Sequence, residues 1–241
     1  IDMDPLEGTT ITSRGGAGAT SVIALANRGH FLHAPDTYMD KIAVGPMARG
    51  VVDIDASPAE NIHAVAKALN KNVSDVTVTI LDRPRHELLI QKVRQTGARI
   101  YLIGDGDVSA AIATAMGDSA IDLLLGIGGA PEGVISAAAM KCLGGDFQGR
   151  LMFRNDQERE RAQKMGIKDL TKAYKMDELA RGEVTFCATG VTHGPLLRGI
   201  RTLPGHIVVT HSVVMRSKTG TVRNIEAIHH LDKKVNSLGP S

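Results

Sequence analysis

The stretch VTVTILDRPRHELLIQKVRQTGARIYLIGDGDV, residues 76–108, contains the pattern that decides the fold. Residues 76–81 and 99–103 are apolar and rich in β-branched side chains, which predicts two strands. Between them, residues 86–96 carry apolar side chains at helical spacing, and Gly97 is typical of a helix C terminus. A strand, a helix and a second strand in this order predict a parallel β-α-β unit.

The same alternation extends to both sides of this stretch. Residues 121–127 form a third apolar run, and residues 131–143 follow as a helix of small residues that ends at Gly144. Upstream, residues 57–60 (SPAE) form a capping box with proline at the first helical position. Further predicted elements are strands over 21–26, 41–44 and 184–191, a hairpin of 207–215 and 221–228, and a loose tail over 236–241. A charged helix is predicted over 156–165, either as a solvated face or as an excursion from the fold. The alternation predicts an α/β protein with α+β layers.

The composition narrows the class of protein. The 241 residues are 43% hydrophobic and 22% charged, and the formal net charge of +2 does not favour nucleic acid or an anionic membrane as a partner. No apolar run is long enough to predict a membrane span. Cys142 and Cys187 have neither a CxxC nor a metal-site spacing, which favours buried, reduced thiols in a cytoplasmic protein.

The first candidate site is the sequence Asp4-Pro5-Leu6-Glu7-Gly8-Thr9. Its two carboxylates flank a proline turn, and hard oxygen ligands on a rigid turn suit Mg²⁺ or Mn²⁺. Gly8 allows the backbone to approach a ligand closely, and the Thr9 hydroxyl has the chemistry to orient a water or contact a phosphate. The alternative interpretation is an acidic surface turn, and the spacing alone favours neither.

Two further candidate sites lie where predicted strands end. Residues 126–133 (GIGGAPEG) run from a strand through glycines into a helix, an arrangement that binds phosphate, with Glu132 in the first helical turn. Residues 82–86 (DRPRH) place Arg83 and Arg85 on a rigid turn, as in a phosphate clamp. Each also has a structural interpretation, as a tight strand-to-helix turn and as an exposed basic turn.

Asp105-Gly106-Asp107 ends the next strand and offers acceptors for sugar hydroxyls or for a metal environment. The alternative for Asp107 is a helix N-cap, which is a common role for aspartate. Tyr38 is interpreted either as a core residue or as a phosphate contact. The acidic turns, the paired arginines and the glycine-rich loop all follow strands, and together they predict phosphate chemistry with a divalent metal.

A series of motifs in this order resembles the class II (GlpX-type) fructose-1,6-bisphosphatases. The motifs are DPLEGT (4–9), APDTYMDKIAVGP (34–46), LDRPRHELL (81–89), GDGDV (104–108), GIGGAPEG (126–133), FCATGVT (186–192) and MRSKTGTVR (215–223). DPLEGT by itself indicates only the wider lithium-sensitive phosphatase superfamily, which includes inositol monophosphatases. The later motifs are specific to the GlpX type, and the similarity runs from Asp4 to about His229.

The resemblance implies an αβαβα sandwich that hydrolyses the 1-phosphate of fructose 1,6-bisphosphate to fructose 6-phosphate and phosphate, a step of gluconeogenesis. It implies Mg²⁺ or Mn²⁺ held by Asp4, Glu7 and Glu132, with Thr9, Asp4 and Glu7 as the catalytic residues. The arginines would hold the phosphate that is not cleaved, and Asp105 and Asp107 the sugar hydroxyls. The implied substrate-binding residues are Glu7, Gly8, Thr9, Tyr38, Arg83, Pro84, Arg85, Asp105, Gly106, Asp107 and Gly129.

The resemblance also implies an organisation and partners. We expect residues 1–75 to belong to an N-terminal metal-binding subdomain and residues 76–241 to a substrate-binding subdomain, with the hairpin within 205–230 packing back on the first. Further acidic ligands are implied upstream of Asp4, so we expect the natural chain to be longer at its N terminus. We expect a homo-oligomer, a dimer or tetramer, that binds a small sugar bisphosphate. The alternatives are a phosphatase for sedoheptulose 1,7-bisphosphate or inositol phosphates, and a non-catalytic sugar-phosphate sensor.

Overall fold

The computed structural model describes residues 1–233, and the tail predicted over 236–241 lies outside this range. Within it, the chain forms two six-stranded sheets and seven α-helices, which confirms the predicted mixed α/β class. None of the described helices combines the length and the apolar character that crossing a membrane requires.

The first sheet contains β1 (Asp2–Glu7), β2 (Thr20–Ala26), β9 (Val184–Gly190), β10 (Arg201–Leu203), β11 (Ile207–Arg216) and β12 (Thr221–His230). Its order is β1-β2-β9-β11, and both β10 and β12 pair with β11. All of its pairings are antiparallel, and the predicted hairpin is the β11–β12 pair.

The second sheet contains β3 (Tyr38–Val44), β4 (Thr77–Leu81), β5 (Arg99–Ile103), β6 (Leu123–Gly129), β7 (Asp146–Met152) and β8 (Ala173–Lys175). Its order is β5-β4-β6-β3-β7-β8. The predicted β-α-β-α-β unit is confirmed, because β4 pairs in parallel with both β5 and β6. The antiparallel strands β3 and β7 extend this unit into a mixed sheet, and the sequence pattern did not predict β7.

The helices are α1 (Thr9–Ser13), α2 (Pro58–Leu69), α3 (Glu87–Gln95), α4 (Asp107–Ala113), α5 (Ala130–Leu143), α6 (Asp156–Lys164) and α7 (Met176–Leu179). The predicted capping box at the start of α2 is present, since the Ser57 side chain accepts from the Glu60 amide and the Glu60 carboxylate accepts from the Ser57 amide. Gly144 ends α5 in the left-handed conformation, as its position after the helix predicted.

Helix α5 lies between the two sheets and contacts strands of both. Its small residues allow this close approach: a Cβ on Gly133 would overlap the Met39 sulfur. Side chains alternate across β3, so that Met39 and Ala43 join the core around α5, while Ile42 and Val44 join a second core under α2 and α3. The layers therefore alternate as the first sheet, α4 and α5, the second sheet, and α2 and α3.

The predicted division near residue 75 does not coincide with the boundary between the sheets. Strands β1 and β2 belong to the first sheet and β3 to the second, although all three lie within residues 1–75. The β11–β12 hairpin belongs to the same sheet as β1 and β2, with β9 between them. The two-subdomain division stays a prediction, and the sheets by themselves group the chain differently.

Candidate active site

One cavity of about 480 Å³ collects the motifs that the sequence singled out. It lies where the end of β1, the carboxyl ends of β4 and β5, and the first turns of α4 and α5 meet. Every predicted site residue except Pro84 lines it; Pro84 begins the turn between the two arginines. The lining is Asp4, Leu6, Glu7, Gly8, Thr9, Asp36, Thr37, Tyr38, Leu81, Arg83, Arg85, Asp105, Gly106, Asp107, Gly128, Gly129, Pro131, Glu132 and Arg154.

Glu7 is buried and connects β1 to α4. Its Oε1 accepts a hydrogen bond from the Val108 amide at 2.7 Å, and its Oε2 accepts one from the Thr20 hydroxyl at 3.0 Å. The carboxylate thus satisfies an amide of the first turn of α4, a position where negative charge is favoured. Burial raises the pKa of Glu7 to about 8, and the charges of Asp107 and Asp4 act in the same direction against the two hydrogen bonds.

Asp107 does not cap α4, contrary to one interpretation of its sequence. The N-cap is Gly106, in the left-handed conformation, and Asp107 is the first helical residue. Its Oδ2 lies 2.6 Å from the Nζ of Lys41, and both side chains are at least nine-tenths buried. Sequence reasoning missed Lys41 as a site residue, although a lysine on the same strand face as the core residues Met39 and Ala43 is a signal of a buried ion pair.

Glu132 lies in the first turn of α5, and its Oε2 is buried without a hydrogen-bond partner in residues 1–233. Burial raises the pKa of this carboxyl, and the nearby charges of Asp107 and Asp4 add to the effect, whereas Lys41 opposes it. A buried carboxylate oxygen without a partner is costly unless a cation or a donor reaches it. Glu132 is therefore placed to bind a positively charged group.

The DPLEGT motif is a strand end, not the turn expected from Pro5. Asp4 and Glu7 both belong to β1, whose register with β2 is irregular between these two residues. The amide of Leu6 donates to Asp4 Oδ1 at 3.0 Å. Gly8 then reverses the chain at φ 87°, and α1 begins at Thr9, which is exposed. No side-chain hydrogen bond found in residues 1–233 occupies the Thr9 hydroxyl, which leaves it available to a ligand or water.

The carboxylates fit a hard cation in their chemistry but do not form a ready-made site. Among residues 1–233, no three His, Cys, Asp or Glu side chains are arranged to hold a metal ion. Asp4, Glu7 and Glu132 nevertheless line one cavity, and a divalent cation would offset the mutual repulsion that, after burial, helps raise the carboxyl pKa values. The ligand set predicted from the resemblance stays a prediction.

The arginines are oriented by backbone carbonyl groups. Arg85 donates from Nε and Nη2 to the carbonyl oxygen of Ile127, at 3.0 and 2.7 Å, and its guanidinium lies 4.7 Å from the centre of the Tyr38 ring. Arg83 donates from Nη1 to its neighbour's carbonyl, Asp82 O, at 3.0 Å. These bonds use only one or two of the five N–H groups of each guanidinium, so the others can donate to an anion.

Arg154 lines the same cavity, and sequence reasoning missed it. Its guanidinium lies 5.1 Å from the Tyr38 ring centre and pairs with the Glu158 carboxylate. Glu158 Oε2 also accepts from the Thr37 hydroxyl at 2.7 Å and from the Arg154 amide at 2.9 Å. Although burial acts to raise it, the pKa of Glu158 falls to about 2 because of these bonds.

The predicted charged helix is present as α6, and most of its residues are exposed, but its first turn also contains the buried Glu158. Glu158 is only 4% exposed and anchors the helix next to the cavity. No signal in the charged sequence of α6 distinguishes Glu158 from its exposed neighbours.

The glycines of β6 make room for carboxylates. A Cβ on Gly128 would overlap the Asp107 carboxylate, and a Cβ on Gly129 would overlap that of Glu132. The glycine-rich sequence was expected to let the backbone approach a phosphate. In the structure its glycines also let two acidic side chains pack against the strand.

Similarity to known proteins identifies the family of this chain. The family model described as bacterial fructose-1,6-bisphosphatase, glpX-encoded, matches residues 1–229. The chain is 46% identical over 248 aligned residues to fructose-1,6-bisphosphatase 1 class 2 of Escherichia coli (strain K12), which covers 97% of this chain and 73% of the relative. The class 2 fructose-1,6-bisphosphatases of Escherichia coli O6:H1 and Shigella flexneri match with the same identity and coverage. The chain therefore belongs to the GlpX-type family of bacterial fructose-1,6-bisphosphatases.

Proposed function

We propose that this protein is a phosphoric monoester hydrolase that cleaves the 1-phosphate of fructose 1,6-bisphosphate, releasing fructose 6-phosphate and phosphate. The observation that carries the proposal is the cavity itself, where five buried or half-buried carboxylates and three arginines line one space. A substrate with two phosphates matches this lining: one phosphate is bound through a cation at the carboxylates, and the other directly by guanidinium groups.

Asp4, Glu7 and Glu132 would hold the cation, Mg²⁺ or Mn²⁺. When bound, it supplies positive charge that stabilises the phosphoryl oxygens and favours ionisation of a water. The unpartnered Oε2 of Glu132 supports its place in this set. Glu7 already accepts two hydrogen bonds, which fix the carboxylate and leave further lone pairs for a ligand.

The exposed hydroxyl of Thr9 orients the attacking water in line with the leaving sugar oxygen. The phosphoryl oxygens contact the Gly8 backbone and the first turn of α5. Pro131 has no N–H, but the other amides of that turn remain available. Water transfers its oxygen to phosphorus, and its protons pass to the products. The proposed attack is by water directly, without a covalent intermediate, and neither serine nor cysteine occurs in the cavity lining within residues 1–233.

Arg83 and Arg85 bind the phosphate that is not cleaved. Arg154 adds positive charge nearby, because its guanidinium contacts the same Tyr38 ring as that of Arg85. Asp105 and Asp107 accept hydrogen bonds from the sugar hydroxyls. Lys41 keeps Asp107 paired, and the short distance between them fixes the carboxylate that faces the sugar.

A phosphate-release assay with fructose 1,6-bisphosphate, with Mg²⁺, with Mn²⁺ and without metal, tests the proposal. We expect metal-dependent release of one phosphate per sugar, and fructose 6-phosphate as the product. Sedoheptulose 1,7-bisphosphate and inositol 1-phosphate serve as comparison substrates. A clear preference for either, or release at background with every metal, would replace the proposal with a related phosphatase or with a sensor.

The buried Cys142 and half-buried Cys187 are both free thiols, which supports a cytoplasmic protein. The resemblance supports a homo-oligomer, dimer or tetramer, and light scattering of the purified protein measures its mass.

A further inference from the structure

The neighbouring parallel strands β4 and β6 stop pairing before they reach the cavity. Their ladder consists of the pairs Val78–Leu123 and Thr79–Leu124. Beyond these pairs, the ring of His86 lies between the strands: its Nδ1 is 2.7 Å from the carbonyl oxygen of Leu81, and the Ile127 amide donates to its Nε2 at 2.7 Å. His86 is 1% exposed, so the imidazole takes the place of strand-to-strand hydrogen bonds where the strands part.

These two contacts define the state of the ring. A backbone N–H only donates, so Nε2 must be the acceptor; a carbonyl only accepts, so Nδ1 must carry the proton. The ring is therefore neutral, with its proton on Nδ1. Gly126, at φ 131°, allows the ring to come this close, since a Cβ there would lie 3.0 Å from Nε2.

Ile127 connects this ring to the basic side of the cavity. Its amide donates to His86, and its carbonyl oxygen accepts both hydrogen bonds from Arg85. The peptide groups on either side of Ile127 thus link the buried imidazole to a guanidinium that lines the cavity. No other side chain in residues 1–233 is hydrogen-bonded to the Ile127 backbone.

We propose that His86 is a positioning residue for substrate binding: its neutral ring fixes Ile127 and, through it, the Arg85 guanidinium that takes the phosphate not cleaved. The inference rests on the proposed function, which assigns that phosphate to Arg85. His86 itself touches no substrate, because it is buried and absent from the cavity lining.

The charges around the ring favour the same state. Burial lowers the pKa of His86, and the guanidinium groups of Arg85 and Arg83 act in the same direction, while the Leu81 hydrogen bond and Asp107 oppose them. A proton on Nε2 would point at the Ile127 N–H and break the link to Arg85.

The test compares His86→Ala, His86→Gln and wild type on two substrates. Fructose 1,6-bisphosphate has the second phosphate, and p-nitrophenyl phosphate lacks it. We expect His86→Ala to raise KM for the bisphosphate about tenfold with kcat nearly unchanged, and to leave both constants for p-nitrophenyl phosphate unchanged. Glutamine, whose amide both donates and accepts, should restore most of the affinity.

Asn61→Ala is the matched control for lost stability. Asn61 is also buried, and its side chain also bonds backbone groups, most closely the amide and the carbonyl of Asp53, each at 2.8 Å. It belongs to α2 and not to the cavity lining. Its replacement should lower Tm as His86→Ala does while KM for the bisphosphate stays at the wild-type value.

Long-range ¹H–¹⁵N NMR of the wild-type ring gives a readout that needs no variant. We expect a proton on Nδ1 and none on Nε2 at neutral pH. A charged ring, or the Nε2–H tautomer, overturns the inference, and so does an equal change of KM on both substrates or none on either. Inactive wild type would instead overturn the proposed function, and the affinity of each variant for the bisphosphate, measured by calorimetry, would still decide the role of His86.

Discussion

The acidic and basic sides of the cavity are supported in different ways. The acidic group is Asp4, Glu7, Asp107 and Glu132, and all four side chains are buried or half-buried. Within residues 1–233, its only ion pair joins Asp107 to Lys41. The basic group is Arg83, Arg85 and Arg154. Its members hydrogen-bond to the carbonyl groups of Asp82 and Ile127 and to the Glu158 carboxylate.

This difference shows which side of the cavity is complete without a ligand. Arginine stays charged at any ordinary pH and needs only acceptors, which the backbone and Glu158 supply. A buried carboxylate needs a counter-charge, and one lysine cannot balance four carboxyl groups. Burial raises the pKa values of Glu7 and Glu132, and the charges of Asp107 and Asp4 act in the same direction. The basic side is therefore set by the protein alone, whereas we propose that a cation completes the acidic side.

The largest expected effect is that of Glu132→Gln. Loss of a ligand that helps to stabilise phosphoryl charge is worth several kcal/mol, so we expect kcat to fall about a thousandfold. The rise in Tm that Mn²⁺ gives the wild type should be much reduced in the variant. Glu60→Gln is the control, since Glu60 occupies the same third position in the first turn of α2. Equal metal-induced shifts in both variants would contradict the role of Glu132.

Lys41→Met tests whether the acidic group depends on Lys41, the side chain that forms an ion pair with Asp107. Removing one partner of a buried ion pair costs about 3 kcal/mol, so we expect the free energy of unfolding in urea to fall by that amount. Asp107→Asn in the same chain should restore most of it, because the uncompensated charge is then gone. Additive losses in the double variant would show that the two side chains are not coupled.

Thr9→Ala separates turnover from stability on the acidic side. We expect kcat to fall about a hundredfold, since a misplaced attacking water costs that much. The Tm should not change, because Thr9 is exposed. Ser13→Ala, at the other end of α1, should leave both quantities unchanged. Near-wild-type kcat in Thr9→Ala would remove Thr9 from the mechanism.

The smallest effect concerns the support of the basic side. Because the pKa of Glu158 is lowered from 4.5 to about 2, its stabilising contribution is complete above pH 4.5 and is lost as the pH falls through 2. Glu158→Gln should therefore be less stable than wild type by about 1 kcal/mol at pH 7, and the difference should narrow in acid. Thermal unfolding from pH 7 to pH 2 measures this, with the exposed Glu160→Gln as the control.

The sequence allowed prediction of the elements whose pattern is local. The apolar runs, the capping box of α2 and the glycine after α5 each act within a few residues, and the structure has all three. The sites at the ends of β4, β5 and β6 could be predicted to converge because parallel strands bring their carboxyl ends to one edge. Strand β7 was missed although polar residues alternate with Phe147, Gly149 and Leu151 in its sequence, DFQGRLM, because a glycine at the centre of the inward face weakens the strand pattern.

The contacts that complete the site could not be predicted in this way. Lys41 and Asp107 are 66 positions apart, and Thr37 and Glu158 are 121 apart. Neither charge pattern nor spacing links such residues before the sheets and helices pack. The same holds for Arg154, which follows a strand that the pattern did not reveal.

The sequence by itself determined the class of fold, most residues of the candidate site and the phosphate chemistry that their types favour, because periodicity and side-chain chemistry act locally. Only the tertiary structure decided how those side chains are supported: which carboxylates are buried, which arginines are fixed, and that His86 connects β4 to β6. Burial and pairing depend on which elements pack together, and they set the raised pKa values of Glu7 and Glu132 and the orientations of the arginines.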